Sequence, residues 1–148
     1  MTRSEASTAA ADRPVTLVVD GERVGLGDAP TRTVGDSFLC ASGERWRGEW
    51  RGVPVEWLLD RAPEAEAATH LRVHGAGDHV ACVSLADAIG GVVALERIDG
   101  HLSAPDRPRF VAPDIAAART VKSVERLEPV TLAPGEDADA YEALATVD

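Results

Sequence analysis

Cys40 is the residue whose type and surroundings best suit chemistry. It ends the apolar stretch Phe38-Leu39-Cys40 and precedes a polar segment that carries Arg45 and Arg47. Neighbouring guanidinium groups lower the pKa of a thiol, and the thiolate can serve as a nucleophile, a redox sensor or a soft metal ligand. The alternative is an inert buried thiol, a common state of cysteine in folded proteins. The residue type alone leaves both interpretations open.

The other cysteine and the histidines give weaker signals. Cys82 lies between valines in an alternating run, which favours packing in a core. His70 and His74 are four residues apart in an apparent strand and could face one side. The four histidines do not show the ligand spacing of a zinc site, and a serine hydrolase is disfavoured because no GxSxG motif is present.

A basic cluster lies near the end of the chain. Arg107, Arg109, Arg119 and Lys122 fall within sixteen positions of a protein whose net charge is −10. Guanidinium groups bind phosphate oxygens through paired hydrogen bonds, and a lysine adds a point charge. The alternative is that these residues pair with the many carboxylates of the same chain.

Composition limits the classes of function. The chain has 148 residues, 45% of them hydrophobic, which allows one domain with a true core. Its negative charge disfavours binding to nucleic acid, because like charges repel. Neither an apolar run long enough to span a membrane nor a signal peptide is apparent, so we expect a cytoplasmic protein without a membrane span. The excess of acidic residues and the single lysine, Lys122, indicate a salt-adapted, halophilic source.

The elements that would position these residues are short. Alternating apolar residues around Asp20-Gly21 predict a hairpin over 15–26, and a second hairpin-like pair follows over 69–85. A loop is predicted over 28–36, a strand ending near Cys40, and another strand around 46–50. A short helix is predicted from Pro54 to Arg61, and Ser84 should cap a second one. Further strands are predicted over 92–100, 107–113 and 120–132.

Many short strands and two short helices predict an α+β fold with mixed or antiparallel sheets. No glycine-rich nucleotide-binding motif is present. We expect a disordered leader over 1–13, one domain over 14–131, and an acidic C-terminal tail over 132–148 with a helical turn or two.

Taken in order, several motifs resemble the molybdopterin-binding domain of the sulfite oxidase family, including its methionine-sulfoxide-reductase-like branch. The family has a strand ending in cysteine, then W-x-G-V-P-L-x-x-L-L; this chain has FLC and WRGVPVEWLL. Later family motifs correspond here to LADA, RPRFVAP and RTVKSVERLE. The likeness runs over 15–130 and implies a sulfite-oxidase-like molybdopterin-binding fold.

The resemblance also implies roles for individual residues. Cys40 corresponds to the catalytic cysteine that ligates molybdenum. Arg109 corresponds to a cofactor-binding arginine before an apolar strand, and Arg119 and Lys122 correspond to the basic loop that holds the pterin phosphate. His79 occupies the position of a family tyrosine at the cofactor, and Ala117 stands where the family places glycine. The remaining matches, Trp50, Gly52, Val53 and Pro54, are interpreted as structural.

The resulting expectation is a molybdopterin-dependent oxidoreductase of the oxo-transfer type, or the cofactor-binding part of one, acting on a small molecule. Because the chain lacks the long N-terminal part of the family, a partner subunit or an electron-transfer protein is expected to complete it. The alternative is a non-catalytic module that keeps the fold and has lost the cofactor. A thiol redox protein that uses Cys40 without metal is a third interpretation.

Overall fold

The computed structural model describes residues 16–39, 45–62, 67–113, 115 and 119–143. The described part forms nine strands and two short helices. The strands are β1 (Thr16–Val19), β2 (Glu22–Gly25), β3 (Arg32–Leu39), β4 (Arg45–Pro54), β5 (His70–His74), β6 (Val80–Ser84), β7 (Val92–Arg97), β8 (Arg109–Val111) and β9 (Arg126–Val130). The helices are α1 (Val55–Leu59) and α2 (Leu85–Ile89). Single 3-10 turns form at Ala104–Asp106 and Ala138–Tyr141.

The strands make two sheets. One has the order β2-β1-β9-β5-β6 and is mixed, because β1 runs parallel to β9 while its other pairs are antiparallel. The other has the order β3-β4-β7-β8 and is antiparallel. One apolar cluster joins buried side chains from both sheets, Leu71 and Leu127 from the first and Trp50 and Phe110 from the second. Both sheets therefore share a single core.

Local signals account for the predicted turns and caps. Asp20 and Gly21 both have positive φ, the conformation that a two-residue hairpin loop requires, and they join β1 to β2 as predicted. Ser84 caps α2 by accepting a hydrogen bond from the Asp87 backbone N–H at 3.2 Å. Pro54 lies immediately before α1, which ends at Leu59.

The packing of strand β4 accounts for the WRGVP run. Trp50 and Val53 are fully buried. A Cβ on Gly52 would overlap the Val93 carbonyl and the Ala94 Cα of β7, so only glycine allows the two strands to approach. A register irregularity at Arg51/Gly52 accompanies this approach. The structural interpretation of these residues agrees with their packing.

Several predicted boundaries differ from the structure. Residues 32–36 belong to β3 rather than to a loop, because they pair with 48–52 of β4. The last strand begins at Arg126, and residues 120–125 before it are not strand. Within the predicted tail, residues up to Ala143 fold back, and Ala143 forms a bridge with Val80 of β6.

Candidate functional site

Arg109 is fixed at the start of β8. Its Nε donates to the Thr120 carbonyl at 3.3 Å, and one Nη donates to the Thr120 hydroxyl at 2.8 Å. Burial lowers the pKa of Arg109, while Asp106 opposes that effect. A guanidinium held this way is pre-oriented, because less side-chain freedom remains to be lost when it binds an anion.

Lys122 and Arg107 lie at the same edge as Arg109. Three backbone hydrogen bonds hold the 106–110 segment to 121–124: Ser123 to Asp106, Val124 to Pro108 and Phe110 to Val121. Lys122 remains half exposed, and its Nζ is 3.9 Å from an Asp106 carboxylate oxygen. The Nε of Arg107 is buried and has no hydrogen-bond partner among the described residues. Arg107, Arg109 and Lys122 form a basic edge, in which the Arg107 Nε and the half-exposed Lys122 have donor capacity for an anion.

Arg119 has a different environment. Its Nε and one Nη donate to the two carboxylate oxygens of Glu142, both at 2.7 Å. One Arg119 Nη is also 3.4 Å from Asp139. The Glu142 side chain is 5% exposed and also accepts from the Cys82 backbone N–H at 2.8 Å. The alternative foreseen for the basic cluster, pairing with the chain's own carboxylates, thus applies fully to Arg119.

These contacts shift both pKa values. Hydrogen bonding to Glu142 raises the pKa of Arg119 further. For Glu142, burial alone would raise the pKa, but the hydrogen bonds from Arg119 and the Cys82 N–H prevail and lower it. Both groups are therefore held in their charged forms.

A cavity of about 240 Å³ adjoins this pair. Its wall includes Cys82, Ser84, Asp87, Ile115, Arg119 and Asp139. Cys82 is a buried free cysteine, and burial is the main reason that its pKa is raised. The thiol is therefore protonated near neutral pH, as expected for a packing residue rather than an activated nucleophile.

His79 lies near Lys122 through Gly75. The Gly75 N–H donates to the His79 carbonyl at 2.8 Å, and a Cβ on Gly75 would meet the Lys122 carbonyl. The His79 Nε2 is buried without a hydrogen-bond partner among the described residues. The structure thus groups His79 and Lys122 by their backbones, while Arg119 is held separately by Glu142.

Cys40 lies outside the described residues. Its neighbour Leu39 pairs with Arg45 at one end of the β3–β4 ladder. Arg109 of β8 pairs with Ala94 of β7, which in turn pairs with Gly52 of β4. Gly52 pairs with Arg32, seven residues before Leu39 along β3, which corresponds to roughly 23 Å of extended strand.

Glu142 is the residue of the candidate site that the sequence analysis missed. It lies 23 positions from Arg119 in an acidic segment, where no motif marks one carboxylate among many. The only available signal was the general one, that a basic cluster in an acidic chain finds acidic partners.

The described residues form neither a metal-binding cluster nor a membrane-spanning helix. In the described ranges, no group of three or more histidine, cysteine or acidic side chains is arranged to hold a metal ion. None of the helices formed by those residues has both the length and the apolar character needed to cross a membrane.

Comparisons with known proteins identify the fold. No family model matches the chain, and no curated protein matches its sequence. Among solved structures, it is similar to the crystal structure of the sulfane dehydrogenase SoxCD from Paracoccus pantotrophus, with a TM-score of 0.66 and 20% sequence identity. The match covers 82% of this chain and 39% of the solved one. This likeness confirms the predicted fold class, an α+β, sulfite-oxidase-like fold with mixed and antiparallel sheets.

Proposed function

We propose that this chain is a molybdopterin-dependent oxidoreductase of the oxo-transfer type, or the cofactor-binding part of one. The observation that carries the proposal is the fold match over 82% of the chain. The resemblance of the Cys40 and Arg109 motifs to the sulfite oxidase family supports it independently. Because the match spans only 39% of the solved chain, a partner subunit or an electron-transfer protein belongs to the proposal.

The described residues fit the phosphate end of such a cofactor. A buried Arg107 Nε without a partner lies at the same edge as the pre-oriented Arg109 and the half-exposed Lys122. A phosphate supplies several acceptor oxygens, and fixed guanidinium groups are its usual protein ligands. In the proposal Arg109 and His79 contact the cofactor, Arg119 and Lys122 belong to the basic loop at its phosphate, and Cys40 ligates the metal.

When bound, the molybdenum centre would supply two-electron oxygen-atom transfer, and the protein would supply the ligand, orientation and electrostatics. The chain's own part is to hold the anionic end with charges that persist at every working pH, since guanidinium groups stay protonated. The neighbour's name makes reduced sulfur compounds a substrate class to try first, together with sulfite and S- and N-oxides.

Molybdenum content tests the proposal. We expect about one molybdenum per chain in protein purified from a molybdate-fed host that makes the cofactor, measured by elemental analysis. Cys40→Ala should remove the metal, because its thiolate is the proposed ligand. Cys82→Ala is the matched control, since Cys82 is a buried thiol with a raised pKa and should not affect the metal.

Absence of metal from folded wild-type protein would contradict the proposal. Equal metal in the wild type and Cys40→Ala would contradict the role of Cys40.

The second candidate is a non-catalytic module that keeps the fold without the cofactor. One observation favours it: Arg119 is already paired with a carboxylate of the same chain, Glu142, whose side chain is 5% exposed. Under this alternative, wild-type protein from the same host contains no metal but folds cooperatively, and substitution of Arg109 or Lys122 affects stability alone.

A further inference from the structure

The pair between Arg119 and Glu142 has the form of an occupied anion site. Three donors converge on one carboxylate, two N–H groups of Arg119 at 2.7 Å and the Cys82 backbone N–H at 2.8 Å. A guanidinium fork together with a backbone N–H is a donor set that also binds phosphate oxygens. The chain's own side chain takes the place that a ligand anion would take.

The segment that delivers Glu142 is held weakly by apolar packing. No apolar residue of 133–143 is buried. Besides Glu142, the bridge from Ala143 to Val80, at 2.8 Å in both directions, and the bond from Arg72 Nε to the Tyr141 carbonyl at 3.2 Å attach it to the rest of the fold. The Asp139 carboxylate is also 3.4 Å from an Arg119 Nη, and the Arg72 guanidinium lies 6.0 Å from the centre of the Tyr141 ring. Segments with few buried apolar contacts open at low free-energy cost compared with the core.

Release of this segment would change the charge at Arg119. Asp139 and Glu142, the two carboxylates paired with Arg119, both belong to 137–143 and leave together. Asp87 stays at the cavity wall as an exposed carboxylate, while Arg72 remains close enough to act on Cys82. The cavity of about 240 Å³ provides room beside the exposed donors.

We propose that residues 137–143 form a displaceable plug, and that a phosphate monoester dianion competes with Glu142 for Arg119 and the Cys82 N–H. This inference rests on the proposed function for the identity of the ligand, the pterin phosphate, but the site itself does not. Cofactor loading would then be coupled to release of the plug.

Hydrogen exchange of two amides tests the plug in the wild-type protein. On titration with inorganic phosphate at constant ionic strength, exchange at Val80 should accelerate, because its acceptor on Ala143 departs. Exchange at Cys82 should remain slow, because phosphate replaces the carboxylate as acceptor. Both amides remaining unchanged, or both accelerating, would overturn the proposal.

Variants distinguish competition between phosphate and Glu142 for Arg119 from a general loosening of residues 137–143. Glu142→Gln removes the competing charge and should tighten apparent phosphate binding at least about tenfold, because Glu142 no longer occupies the site at Arg119. Glu22→Gln removes one exposed carboxylate on β2 and controls for net charge. Adding Arg119→Gln to Glu142→Gln should abolish the gain. Equal affinities in Glu142→Gln and Glu22→Gln would overturn the proposal, as would a gain that survives loss of Arg119.

Cofactor-loaded protein distinguishes the source of the phosphate. If the pterin phosphate occupies the site, the loaded protein shows fast Val80 and slow Cys82 exchange without added phosphate. If only added phosphate produces this pattern, the site stands as one for a free anion. If neither loaded protein nor added phosphate produces this pattern, the proposal of a displaceable plug is wrong, even where molybdenum is bound through Cys40. The two proposals can therefore fail separately.

Discussion

Gly52 shows how a single residue fixes the spacing of the second sheet. A Cβ there would overlap backbone atoms of β7, which cannot move as a flexible side chain can. We expect Gly52→Ala to lower the free energy of unfolding by about 1–3 kcal/mol, the usual cost of overpacking. Chemical denaturation of the wild type and the variant measures this difference in the free energy of unfolding.

Gly25→Ala is the matched control, since Gly25 also lies in a strand and a Cβ there meets no atom within 4 Å. If the two variants were equally stable, the close approach of β4 and β7 would not depend on Gly52.

At this scale the sequence predicts roles that depend on neighbours along the chain. Ser84 as a cap and Asp20-Gly21 as a turn are local, and both are confirmed. The match of Glu142 to Arg119 depends on where two distant segments meet, and composition cannot select one carboxylate among 25 acidic residues. The roles of Cys40, Arg109, Lys122 and His79 at a cofactor stay predictions.

At the scale of elements, the attachment of residues 137–143 should depend on pH. The pKa of Glu142 is lowered in the folded protein from its ordinary value of 4.5. The stabilisation is therefore complete above pH 4.5 and is lost as the pH falls through the lower, folded pKa. We expect the Val80 and Ala143 amide signals in NMR spectra to titrate with a midpoint below pH 4.5.

Glu142→Gln provides the comparison for this titration. In this variant the Val80 and Ala143 amide signals should already have, at neutral pH, the chemical shifts of the detached segment. They should not titrate with the wild-type midpoint. A wild-type midpoint at or above pH 4.5 would contradict the paired state of Glu142.

The strand β3 shows why some elements escape sequence analysis. Residues 32–36 read as a polar turn, and only Val34 among them is both apolar and buried. They become a strand because β4 offers ten residues of backbone to pair with. Pairing of this kind is a property of two segments together, so neither segment alone signals it.

For the molecule as a whole, net charge should govern stability in dilute buffer. A charge of −10 on 148 residues repels itself in the compact state. Raising the ionic strength from about 0.01 M to about 0.15 M shortens the screening length from roughly 30 Å to roughly 8 Å. We expect the melting temperature to rise with KCl over this range, measured by calorimetry.

Sucrose at equal osmolality separates screening from exclusion of solute at the surface. A melting temperature that stays flat or falls with KCl would contradict the expectation and the salt-adapted interpretation of the composition.

The fold class could be predicted from the order of motifs and the many short strands, and the structural match bears it out. The parallel pairing of β1 with β9 could not be predicted from the sequence, because it joins segments more than a hundred residues apart. Activity belongs to the proposal, since this chain corresponds to 39% of the solved neighbour.

The bridge between Ala143 and Val80 has a consequence for association. β6 is the last strand of its sheet, and the bridge covers part of its open edge. An uncovered edge offers unpaired N–H and C=O groups to any extended chain, whether a partner or another copy. Displacement of residues 137–143 would therefore expose the outer edge of β6. Binding of an anion at Arg119 would then allow another extended chain to add to the sheet at β6.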